Sequence, residues 1–494
     1  MRVAFLIDTS ASMNQRTSFG MTLLDCAKAG VEHFLLRLQR EAGNTWHQFL
    51  LCTTEEGMAG VKTSYCDNLA NNFAQFQTAL QNLTASDTGE PGQAMKRTLD
   101  LVNMYRMTSS IDTYGRGRNP MVSDASVIIA ITDDCVKTTA TGVTMTEMSL
   151  PMTPALPGSE LTVEPFRWDQ RVFSLHLRFP GVGHGQRGYL SNSPANHSKA
   201  LFYGISTVTG GKCFVLDTLK DLMLAVGEIS SKIQPGVVVN FEPEKVTAST
   251  PNSFHTFLHA SKHGGHFPIP EAYLPDDKME TLPPRRAQPS IRYVPTEVDA
   301  TVVGNFPVDR YELEPCALQR AMLQRAESLK RDVCWQVFVP KSMPARRSMG
   351  EPFGYLLAGH VSRTVYLCLL PYAYPRFWPL LTKLIGTHNL NPNKAWRQEF
   401  EKYLASIPSY YIPALRTALK KVGVNIIPEH IDAAMSYAVG NTLTSIKKQT
   451  EQYIERFHDN LRRARQEQHQ RIRATHYIHH ILPPKSGGGG GKGE

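Results

Sequence analysis

The 494-residue sequence predicts three units: an N-terminal doubly wound α/β domain, a β-rich, barrel-like middle domain and a C-terminal helical region. Three observations carry this expectation. Over residues 1–235, short apolar runs alternate with amphipathic helical patterns, which is how a parallel sheet covered on both faces reads. After Pro235-Gly236 the helical period gives way to β-branched runs punctuated by Pro and Gly, the mark of a barrel or sandwich. From Tyr374 helical spacing returns.

The first domain opens on a buried-strand run, Val3–Ile7, followed by helical spacing over Leu23–Leu38. Phe49–Cys52 reads as a strand, and Phe73–Leu83 and Gly92–Tyr105 as amphipathic helices. Val127–Thr132, with the sequence VIIAIT, is the clearest buried strand, and Val172–Leu177 is another. Ala200–Val208 reads as a helix, Lys212–Leu216 as a strand and Leu219–Ile233 as a helix. The middle domain, 236–373, holds strand candidates at Val237–Phe241, Ser290–Val294, Trp335–Val339 and Thr364–Leu369. The helical domain, 374–440, holds Phe377–Ile385, Trp396–Ala405, Ile412–Val422 and His430–Val439, with Pro379, Pro408 and Pro413 marking starts and breaks. Residues 441–482 read as one long basic helix, and 483–494 as a flexible Gly-rich tail.

Composition narrows the function. Lys and Arg total 53 against 44 Asp and Glu, a formal net charge of +9 that is modest for this length and leans toward the C-terminal end, where it reads as a solvated helix face, so direct nucleic-acid binding is not expected. The eight cysteines are scattered and form no C-x-x-C pair, which argues against a zinc ribbon or a disulfide framework. A reducing compartment, cytosol or nucleus, is expected. No signal peptide and no membrane span is expected either. There is no H-E-x-x-H, G-x-S-x-G or phosphate-binding loop, so the expectation is a protein that binds and does not catalyse.

The sharpest motif is Asp8-Thr9-Ser10-Ala11-Ser12, directly after the first strand. In a doubly wound sheet, ligands bind beyond the carboxyl ends of the strands near the switch in strand order. A loop there aims one carboxylate and two hydroxyls at one point. These hard oxygens suit Mg2+ or Mn2+, which take about six such ligands. Asp133, closing VIIAIT, supplies a second carboxylate, and Thr88, in the loop before the Gly92 helix, a third hydroxyl. The expected metal ligands are therefore Asp8, Ser10, Ser12, Thr88 and Asp133. The plainer reading is that Asp8 and Ser10 cap the next helix and hold the loop.

The D-x-S-x-S loop, the later Thr and the strand ending in Ile131-Thr132-Asp133 resemble the von Willebrand factor type A family and its metal-ion-dependent adhesion site. Residues 5–16, 114–120, 157–162 and 164–171 narrow the likeness to the Integrator complex subunit 6 family. Residues 311–315, 334–339, 352–356, 396–398 and 408–411 extend it, so that it covers about residues 1–440. The resemblance implies a nuclear scaffold within the Integrator complex, which acts on RNA polymerase II transcripts in small nuclear RNA 3′-end processing and in transcription termination. It also implies recruitment of protein phosphatase 2A, contact with other Integrator subunits and only indirect association with RNA polymerase II. Two departures stand out. The family usually has Gly after the strand-end Asp, where this chain has Asp134, and the loop around Thr88 differs in spacing. The family's terminal interaction segment is not seen, so its binding activities are not carried over.

Other features have plainer readings. His263 and His266 read as exposed loop histidines, and the aromatic run at 372–378 and Tyr410-Tyr411 as helix packing around prolines. Arg462, Arg463, Arg465, Arg471 and Arg473 read as a solvated helix face, while Leu443, Ile446, Ile454, Phe457 and Leu461 form a stripe suited to docking on a partner. The alternative function is a Ku-like nucleic-acid-binding protein, which also joins a type A domain to a β-barrel and a helical arm. A barrel that encircles DNA lines its bore with Lys and Arg, yet residues 237–373 carry substantial acid as well.

Overall fold

The structure is a computed structural model. It describes residues 2–41, 48–54, 69–85, 89, 91–109, 126–134, 170–180, 200–234, 236–244, 254–259, 290–296, 310–339, 349–407, 412–421, 423–427 and, beyond 440, chiefly 451–463. Thr88, His263, His266, Tyr410, Tyr411, the 430–439 helix candidate, Leu443, Ile446, Arg465, Arg471, Arg473 and the Gly-rich tail lie outside the described residues.

In the first unit, β1 (Arg2–Ile7), β2 (Gln48–Thr53), β3 (Ser126–Thr132), β4 (Gln170–Leu177) and β5 (Cys213–Leu216) form one sheet in the order β2-β1-β3-β4-β5. Every pairing is parallel. Strands β1, β3 and β4 are buried along their whole length, which explains why they read as continuous apolar runs instead of alternating ones. One face, through Val3, Phe5 and Ile7, packs with α1 (Leu23–Glu41), α2 (Leu69–Gln81) and a helix at Leu219–Ser231. The other face, through Ala4 and Leu6, packs with α3 (Pro91–Ser109) and α4 (Tyr203–Val208). The Leu219–Ser231 helix, α5, is capped by Thr218, whose hydroxyl accepts from the Asp221 amide.

The middle unit is a closed barrel of seven strands in the order β10-β11-β12-β9-β7-β6-β8. These are β6 (Gly236–Pro243), β7 (Phe254–His259), β8 (Ser290–Thr296), β9 (Arg310–Leu313), β10 (Val333–Val339), β11 (Glu351–Ala358) and β12 (Val365–Leu369). Of these, β7, β9 and β11 were not expected from the sequence, nor was the helix α6 (Ala317–Leu329). Val239, Leu258, Ile291, Leu313, Val337, Leu356 and Leu367, one from each strand, belong to a single apolar cluster. Leu318, Met322 and Ala326 of α6 join it. So do α7 (Tyr374–Gly386), α8 (Lys394–Ser406) and α9 (Ile412–Lys421) through Phe377, Leu384, Trp396, Phe400 and Leu415. Barrel and helices thus share one core. Tyr372 and Phe377 are buried in it, as the packing reading of that aromatic run expects, while Trp378 stays exposed.

The α/β unit and the barrel meet through Arg171 at the start of β4. Its guanidinium is buried, pairs with Glu314 and donates to the Gly210 carbonyl at 2.7 Å and the Lys232 carbonyl at 3.3 Å. It lies 3.9 Å from the centre of the Phe257 ring. Residues 451–463 form a helix, α10, and Leu461 is buried in the α3 side of the sheet core, with Tyr453, Ile454 and Phe457 packed beside it. The described part of the stripe expected to meet a partner, Ile454, Phe457 and Leu461, therefore packs on this chain. The helix's outer face is mixed in charge, with Glu451, Glu455 and Asp459 beside Arg456, Arg462 and Arg463.

Candidate functional site

The chain passes from β1 to β2 on one side and later returns to β3 on the other, so the switch in strand order falls beside β1. Register places Ile7 opposite both Thr53 and Ile131, and the residues that follow these strands leave the sheet edge together. Those residues are Asp8, Thr54 and the pair Thr132-Asp133. The sheet topology thus gathers side chains that are far apart in sequence.

Asp8 is nearly buried and accepts three hydrogen bonds. Its Oδ1 takes the Ser10 amide at 2.9 Å and the Thr54 hydroxyl at 3.1 Å, and its Oδ2 takes the Thr132 hydroxyl at 2.8 Å. All three donors are neutral. Ser10 is buried, but its side chain does not cap the following turn, Ala11–Asn14. Its Oγ lies 2.9 Å from Ser12 Oγ. Two neighbouring ligands on an octahedral Mg2+ at 2.0–2.1 Å sit about 2.9 Å apart, so the two hydroxyls already have the spacing of adjacent ligands. Asp133 is also nearly buried at the end of β3.

Thr88 is not described, but its neighbour Gly89 is buried. A Cβ on Gly89 would lie 2.4 Å from Thr54 Oγ1, which only glycine avoids. Gly89 thus packs against Thr54, which itself holds Asp8. Thr54 itself was not singled out by sequence. It holds Asp8 and also accepts from the Thr9 amide at 3.1 Å. A hydroxyl just past an apolar strand was the available signal, but its meaning depends on the β1–β2 register.

Asp134 stands at φ +57°, the left-handed backbone that glycine adopts most easily. Its carboxylate faces β4 and α4. Oδ1 accepts the Leu201 amide at 3.0 Å and lies 3.6 Å from His176 Nδ1, while Oδ2 lies 3.4 Å from an Arg178 nitrogen. Burial opposes the carboxylate, but His176, Leu201 and Arg178 outweigh it and hold its pKa below the usual range. Burial likewise opposes the imidazolium of His176, yet Asp134 and Cys213 raise its pKa to about 9. The Asp134 amide donates to Thr132 Oγ1 at 3.0 Å, and Thr132 donates to Asp8. The extra carboxylate is therefore spent as a tie between the loop and β4.

A parallel sheet in this order, with helices on both faces and a D-x-S-x-S loop at the strand switch, defines a von Willebrand factor type A domain, here joined to a seven-stranded barrel. Residues 238–385 match the model of the INTS6 beta-barrel domain. The Integrator complex subunit 6 homolog of Dictyostelium discoideum is 38% identical over 463 residues, covering 91% of this chain and 40% of that protein. Integrator complex subunit 6 of Homo sapiens is 37% identical over 468 residues, covering 90% of this chain and 52% of its own length. The chain belongs to the Integrator complex subunit 6 family, and it spans about half the length of the curated relatives it matches. Among solved structures, a von Willebrand factor type A protein from Catenulispora acidiphila is 12% identical with a TM-score of 0.29, covering 51% of this chain and 53% of its own. The fold assignment rests on this chain's own strand order and not on that likeness.

Proposed function

We propose that this chain is a non-catalytic scaffold subunit of the Integrator complex in the nucleus, joining protein phosphatase 2A and other Integrator subunits to RNA polymerase II transcript processing. That work includes small nuclear RNA 3′-end processing and transcription termination. The observation that carries the reading is identity of 37–39% across the type A domain, barrel and helices together. A module borrowed for another purpose would match over one unit only.

Within this reading Asp8, Ser10, Ser12, Thr88 and Asp133 form a metal-ion-dependent adhesion site for Mg2+ or Mn2+. The cation, when bound, supplies a coordination position that a partner's carboxylate can take. The chain's own part is to hold the oxygens in place. Thr54 and Thr132 orient the Asp8 carboxylate, and the Asp134 tie fixes the loop that carries Asp133.

One feature supports binding over catalysis. Among the described residues the nearest approach to a catalytic set is Asp134, His176 and Cys213, and His176 is fully buried beside Phe202. Among the described residues the barrel interior is filled by one apolar cluster, with no basic bore for a duplex, which argues against the Ku-like alternative. Among the described residues no helix is long and apolar enough to cross a membrane. Affinity purification of the tagged full chain from nuclear extract tests the proposal. Integrator and phosphatase subunits should co-purify. Salt-sensitive binding to duplex ends, with no phosphatase subunit recovered, would favour the Ku-like alternative.

A further inference from the structure

Helix α3 is buried on more than one side. Leu99 and Leu101 are each 2% exposed. Side chains two apart on a helix point about 200° from each other, so one faces the sheet and the other faces something outside it. Lys96, Arg97 and Asp100 are half-buried as well, where the outer face of a sheet-covering helix normally stands in water. Among the described residues, the far end of the chain packs against α3. Leu461 is buried in the same cluster as Met95, Leu99, Leu101 and Val102, with Tyr453, Ile454 and Phe457 packed against it. Tyr453 lies within electrostatic reach of Asp100. The spacing 454, 457, 461 is one face of a helix.

We propose that residues 451–463 are a releasable strap: an amphipathic helix that docks on the outward face of α3 and, when it lifts, bares an apolar surface of the type A domain. Two features make it releasable. Among the described residues of the segment, Leu461 is fully buried and the other three anchors are half-buried. The opposite face is charged and already solvated, so lifting exposes one narrow stripe. Such an element opens at far lower cost than the core beneath it.

Release has a consequence at the ligand corner. Helix α3 begins at Pro91, two residues after Gly89, whose backbone abuts Thr54 and so the Asp8 carboxylate. A helix held at its middle by the strap also holds Gly89 against Thr54. This last link rests on the adhesion-site reading, whereas the strap itself rests on packing alone.

Hydrogen exchange on the full chain tests the strap, comparing wild type with Leu461→Asp and with Phe457→Ser. Amides of α3 and of the loop before it should exchange at least about tenfold faster in both variants, while β6 and β10 of the barrel stay unchanged. A second arm inserts a specific protease site after Gly440 in the otherwise intact chain. After cleavage the terminal fragment should dissociate on dilution, and adding it back should restore α3 protection. Unchanged exchange in α3 overturns the proposal. So does faster exchange throughout the molecule, which would make the helix an integral part of the core. Thermal shift with Mn2+ separates the two readings: a wild type that ignores Mn2+ removes the adhesion site and leaves the exchange result to decide the strap.

Discussion

Strand β4 carries buried charge near both of its ends, and the two ends are built on different terms. At its start, Arg171 has a counter-charge inside the chain, Glu314, together with two carbonyls and an aromatic face. Beyond its other end, across β3, Asp8 is nearly as buried but is met, among the described residues, by an amide and two hydroxyls. Those donors orient the carboxylate without cancelling its charge. A buried anion with neutral partners keeps an electrostatic appetite that a buried ion pair has spent. The joint is therefore built for permanence, while the loop corner keeps the charge that the proposed adhesion site needs.

The largest expected effect falls on the joint. Arg171→Ala or Glu314→Ala alone strands the remaining charge in an apolar seam and should cost about 3–5 kcal/mol in denaturant unfolding. Arg171→Met with Glu314→Leu removes both charges and should recover most of that loss. If the double variant is as unstable as the singles, the seam depends on the carbonyl contacts and not on charge balance.

The second effect is a pH window at the loop end of β4. His176 has a folded pKa of about 9, above its ordinary 6.5. Its contribution is fully present below about 6.5 and is lost as pH rises through about 9; it is at most on the order of 3 kcal/mol. The groups facing it are Asp134 and Cys213, with Arg178 sharing the carboxylate. Asp134→Gly suits the positive φ, so it relieves backbone strain while removing the charge. The alkaline loss of stability should vanish in this variant, and an NMR titration should show the His176 pKa falling. An unchanged titration would mean that Cys213 and not Asp134 sustains the imidazolium.

Third comes the cation. Wild type should gain about 2.7 kcal/mol at a free Mn2+ concentration 100-fold above Kd, and Asp8→Ala should gain nothing. Calorimetric scans with millimolar Mg2+ or Mn2+ check this. No shift in wild type would leave Asp8 as a loop-holding residue alone.

These two ends also differ in how far sequence could reveal them. Asp8, Ser10, Ser12 and Asp133 could be picked out because each follows a mostly apolar, fully buried strand, so strand end and loop start nearly coincide in the letters. Arg171 was not singled out. It lies inside an apolar-looking strand, and its partner is 143 residues away across a domain boundary. In the barrel, β11 holds a Pro and a Gly that read as breaks. Gly354 is there because a Cβ would strike the Cys368 carbonyl of the neighbouring strand, a contact only the fold reveals. The stripe at 454, 457 and 461 was legible as a docking face, but periodicity does not say which surface it meets, and that surface is α3 of the same chain.

The smallest expected effect is the one that separates orientation from coordination. Thr54 Oγ1 donates to Asp8 Oδ1 and accepts from the Thr9 amide, so Thr54→Val keeps the shape and deletes both bonds. Without metal the buried Thr9 amide loses its acceptor, at a cost of about 1 kcal/mol in thermal unfolding. What happens with Mn2+ then discriminates. If Thr54 only orients the carboxylate, Asp8 keeps two donors and all its charge, and freeing Oδ1 removes a competitor for the cation. The Mn2+ stabilisation in Thr54→Val should then equal or exceed that of wild type. If the hydroxyl is itself a ligand, the Mn2+ shift should disappear as completely as in Asp8→Ala. That outcome would move the cation toward the β2 side of the corner, and Thr54 would take a place in the ligand set beside Asp8, Ser10 and Ser12.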